Sequence, residues 1–72
     1  MRELNHFEKA FHALSWTELE RAQSLFESGR KARAQEALTE ALTASVSLPR
    51  WFTDEDWTTQ FNQLHKDLYR GV

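Results

Sequence analysis

The chain has no cysteine, one proline and two glycines in 72 residues. Without cysteine no disulfide can brace the fold, and the usual thiolate ligands of a structural zinc are missing. This also fits a reducing compartment. Scarce proline and glycine remove the residues that break helices and make turns, which favours long helices over strands. Charge of one sign is lacking as well. Nine Lys and Arg against eleven Asp and Glu leave a net charge of −2, and phosphate backbones call for a basic face. No run approaches the roughly 18 apolar residues of a membrane span. Met1 to His6 holds no apolar core long enough for a signal peptide. The reading is a cytoplasmic protein with no membrane partner.

What the chain does have is apolar and aromatic residues. They make up 40% and 12% of it, with three tryptophans and five phenylalanines. This is the composition of one folded domain. So short a chain buries only about 60% of the surface its unfolded form exposes. Small domains compensate with close helix packing, a metal or a partner chain.

Apolar spacing marks four helices. Leu4, Phe7, Phe11 and Leu14 recur at threes and fours, one stripe on a helix of about residues 3–13. Ser15-Trp16-Thr17-Glu18 has the form of a capping box, and Leu14 and Leu19 have the spacing of a hydrophobic staple. A second helix is therefore expected over 15–28, ending at Gly29, where glycine can take the left-handed conformation. The third spans 30–45, with Ala34, Ala37 and Ala41 on one face beside Leu38 and Leu42. Pro49 forbids helix in the linker from Val46 to Phe52. Thr53, with Asp56 three residues on, is the expected cap of a fourth helix over 53–70. Asp54, Glu55 and Asp56 suit the positive end of its dipole, and its stripe is Trp57, Phe61, Leu64 and Leu68. The expected fold is all-α: one domain, 1–72, of four helices with the second and third as a central antiparallel hairpin.

Chemical motifs are missing. Zinc needs three or four converging ligands. His6 and His12 lean to different faces of one helix, and His65 lies on another. Glu8 and His12, four apart, read as a surface pair. Three adjacent acids at 54–56 point apart, whereas an acid–base pair needs one desolvated carboxylate and one charged. No serine or threonine has the spacing of an activated nucleophile. No catalytic residue, metal or cofactor is assigned, and the chain is not expected to be an enzyme.

Two binding surfaces remain. Trp16, Trp51 and Phe52 are candidate anchors for another protein or a second copy of this chain, since aromatic anchors dominate interface energetics. Arg30, Lys31 and Arg33 form the one basic cluster, at the start of the third helix. They would serve a nucleic-acid-binding regulator, the alternative function. Against it, Glu36 and Glu40 lie on the outer face of the same helix and would repel DNA.

Ala22, Ala34 and Ala41, with Leu25, Leu38 and Gly29, give Ser15–Ser45 a spacing that resembles a single tetratricopeptide unit. That family packs two antiparallel helices through small residues at three fixed positions. Glu18 and Arg21 stand where it favours bulky apolar residues. Val46 stands at its closing proline. The resemblance implies protein binding without catalysis. The expected function is a non-catalytic interaction module: a small adaptor, chaperone or inhibitor-like regulator.

Overall fold

A computed structural model describes residues 3–70. The described residues form three helices: α1 (His6–Glu27), α2 (Lys31–Val46) and α3 (Glu55–Leu68). The four-helix expectation is thereby corrected. The two helices read as 3–13 and 15–28 are one helix of 22 residues, about 33 Å long at 1.5 Å per residue.

The cause of the misreading is local. A Ser-x-x-Glu box works only where the backbone N–H groups are unpaired. No proline or glycine interrupts the chain between Asn5 and Ser28, so those groups bond within the helix instead. The Ser15 hydroxyl turns back and donates to the His12 carbonyl oxygen at 2.7 Å, the alternative open to serine inside a helix. The start signal that operates lies ten residues earlier. Asn5 accepts from the Glu8 backbone N–H at 2.8 Å, and the Glu8 carboxylate accepts from the Asn5 N–H at 2.8 Å. This is a complete capping box, so Glu8 is not a surface partner of His12.

At the other end α1 closes on Gly29, at φ +82°. The Gly29 N–H donates to the Phe26 carbonyl at 3.1 Å and the Arg30 N–H to Leu25 at 2.9 Å. These are the two bonds of a Schellman turn. Three residues then separate α1 from α2. So short a joint lets the helices pack along their length only if they run antiparallel. Ala22, Ala34 and Ala41 are fully buried, and Ala37 and Ala44 nearly so. Side chains this small let two helix backbones approach closely. Leu19 and Leu38 complete the seam.

Eight residues link α2 to α3. Within them the Phe52 N–H donates to the Pro49 carbonyl oxygen at 3.0 Å, closing a turn. The cap of α3 is Asp54, one residue after the expected Thr53; its side chain accepts the Trp57 N–H at 3.1 Å. Trp57, Leu64 and Leu68 bury against the hairpin. The Gln35 side chain donates to the Leu68 carbonyl at 3.5 Å, so α3 ends beside the start of α2. Gly71, expected near the end of the last helix, lies outside the described residues.

The stripe expected to pack helix one onto the hairpin does not do so. Phe7 is 73% exposed, Phe11 39% and Leu14 45%. Leu14 lies beside α2 at the margin of the seam, in a groove with Glu18, Arg21, Glu36 and Glu40; for Phe7 and Phe11 the reason is length. α2 has 16 residues against the 22 of α1, and Val46, its last residue, lines one cleft with His12. Residues 6–11 of α1 therefore overhang the end of α2 by about 9 Å.

Gly29→Ala tests the joint. No atom lies within 4 Å of a Cβ built there, so the cost is backbone strain alone, about 1–2 kcal/mol. Gly29→Asn should cost less, because asparagine tolerates this conformation. Urea unfolding of both variants measures the difference.

Candidate functional site

The polar centre of the molecule is the Asp54 carboxylate. One oxygen accepts the Trp57 backbone N–H and so caps α3. The other accepts two side chains of α1: the His12 ring Nε2 at 2.8 Å and the Trp16 indole Nε1 at 2.8 Å. An ionised carboxylate has only acceptors, so the His12 nitrogen is the donor. A reciprocal bond runs the other way, from the Trp57 indole Nε1 to the Ser15 carbonyl oxygen at 2.9 Å. Two tryptophans thus cross between α1 and α3. Burial alone would push the Asp54 carboxyl up. The hydrogen bonds from His12, the Trp57 N–H and Trp16 outweigh burial and hold its pKa below the ordinary 3.8.

Nothing local in the sequence announces this cluster. Asp54 is 42 residues from His12 and 38 from Trp16. The local signal at Asp54, acid at a helix start, is fully accounted for by the cap and the dipole. Asp54 sits on a cleft of about 360 Å³ lined also by His12, Val46, Pro49, Phe52 and Trp57. The polar groups of Asp54 and His12 there are engaged with each other. The Ser15 hydroxyl donates to the His12 backbone rather than to its ring, so serine, histidine and aspartate meet without forming a nucleophile–base pair. Among the described residues no three His, Asp or Glu side chains are grouped to hold a metal ion. No helix there is long and apolar enough to cross a membrane.

The expected site residues fall at two places. Trp16 is half-buried, with its indole N–H committed to Asp54. Phe52 is half-buried with its ring edge-on to His12, centroids 4.9 Å apart. Trp51 is 41% exposed and edge-on to Phe52 at 6.2 Å; the two flank a shallow groove with Leu4 and Lys9. These three aromatics belong to the open end of the hairpin. Arg30, Lys31 and Arg33 are exposed at the opposite end, by Gly29. They share no surface with the aromatics. α2 has no side-chain cap at Arg30 and no acid in its first turn.

One apolar surface left uncovered among the described residues is the stripe expected to lie in the core. Phe7, Phe11 and Leu14, at spacings of four and three, share one face of α1. Phe11 stands one turn before the buried Ser15, so the face continues the side that farther along meets α2. The linker does not cover it, because Trp51 and Phe52 cross α1 on the Lys9 and His12 side. Together these side chains leave on the order of 300 Å² of apolar surface open, taking 150–250 Å² for a whole aromatic side chain.

No family model, curated protein or solved structure matches this chain.

Removing the carboxylate tests the cluster. Asp54→Ala loses the cap and both side-chain bonds and should cost about 2–4 kcal/mol. Asp54→Asn keeps a cap oxygen and should cost less. Because the folded-state pKa is the lower one, the charge contributes its full stability above pH 3.8. That contribution is lost as pH falls through the folded value. Denaturant unfolding of wild type and Asp54→Asn should show a gap that closes as pH drops below 3.8.

Proposed function

We propose that this chain is a non-catalytic protein–protein interaction module that binds through the overhanging face of α1. The carrying observation is Phe7. A phenylalanine 73% exposed, in line with Phe11 and Leu14 on a rigid helix, is a large apolar surface held ready. Patches of about 300–600 Å² on monomers of this kind are often functional. Helices present such faces to partners as anchors at spacings of three, four and seven.

This relocates the anchors. Trp16 and Phe52 are engaged inside the fold by Asp54 and His12, so Trp51 is the one of the three aromatics left with a large exposed face. It stands on the Lys9 side of α1, apart from the Phe7 and Phe11 face. The likeness of Ser15–Ser45 to a tetratricopeptide unit favours the same class of function, through the buried Ala22, Ala34 and Ala41. The nucleic-acid alternative draws on Arg30, Lys31 and Arg33, which are exposed; the outer face of α2 also carries exposed Glu36 and Glu40, which oppose phosphate.

A photo-crosslinking amino acid placed at Phe7, in cells that make the protein, tests the reading. Discrete adducts are expected from position 7 and none from the exposed Thr59 on α3. Equal labelling from both positions, or none from position 7, overturns it.

A further inference from the structure

We draw no further inference here: the strongest candidate, the exposed Phe7 and Phe11 face of the α1 overhang, is an unpartnered apolar face, and nothing in the structure shows which partner covers it.

Discussion

The Asp54 carboxylate ties three parts of the chain together: the start of α3, which it caps, and His12 and Trp16 on α1, whose N–H groups it accepts. Withdrawing a carboxylate from water is costly, and three donors on the carboxylate answer that cost; the reciprocal Trp57 bond to Ser15 fastens the same two helices beside it. The geometry of the open end depends on this knot. It sets where α3 begins and which side of α1 the linker crosses. It also draws Trp16 and Phe52 inward. The aromatic surface left for a partner is therefore the opposite side of α1, with Phe7 and Phe11.

A second constraint is the unequal length of the paired helices. Asn5 starts α1 early and Gly29 closes it late, while α2 ends at Val46. The seam itself is made of alanine and leucine and needs no more than 16 residues of α2 to fill. The remaining turns of α1 stay helical because their backbone bonds are satisfied within the helix and capped by Asn5 and Glu8. A helical face that is capped without being buried arises here from a capping box placed beyond the end of the neighbouring helix.

Much of this was legible in the residues. Spacings of three and four marked every helical stretch. Gly29 was readable as the joint, because a left-handed residue between two helical patterns is what glycine supplies. The alanines at 22, 34 and 41 were readable as small residues on facing sides, and they are buried. Ser15 misled, because Ser-x-x-Glu is equally compatible with a helix interior when nothing breaks the chain before it. Thr53 and Asp54 are adjacent capping residues, and local chemistry favours neither strongly. The knot at Asp54 was illegible, since its partners lie about 40 residues away and a sequence pattern carries no information about which distant side chains meet.

By itself, the sequence determined the helical content, the joint at Gly29 and the absence of disulfides, because these follow from backbone preferences and residue chemistry that act within a few positions. Only the tertiary structure decided that α1 is continuous, that Asp54 gathers His12 and Trp16, and that Phe7, Phe11 and Leu14 face outward. A helical stripe has the same spacing whether it meets a neighbouring helix or open solvent. The difference lies in where that neighbour stops: α2 ends before it reaches Phe7 and Phe11, and Leu14 lies at the margin of the seam, beside Glu36 and Glu40 of α2.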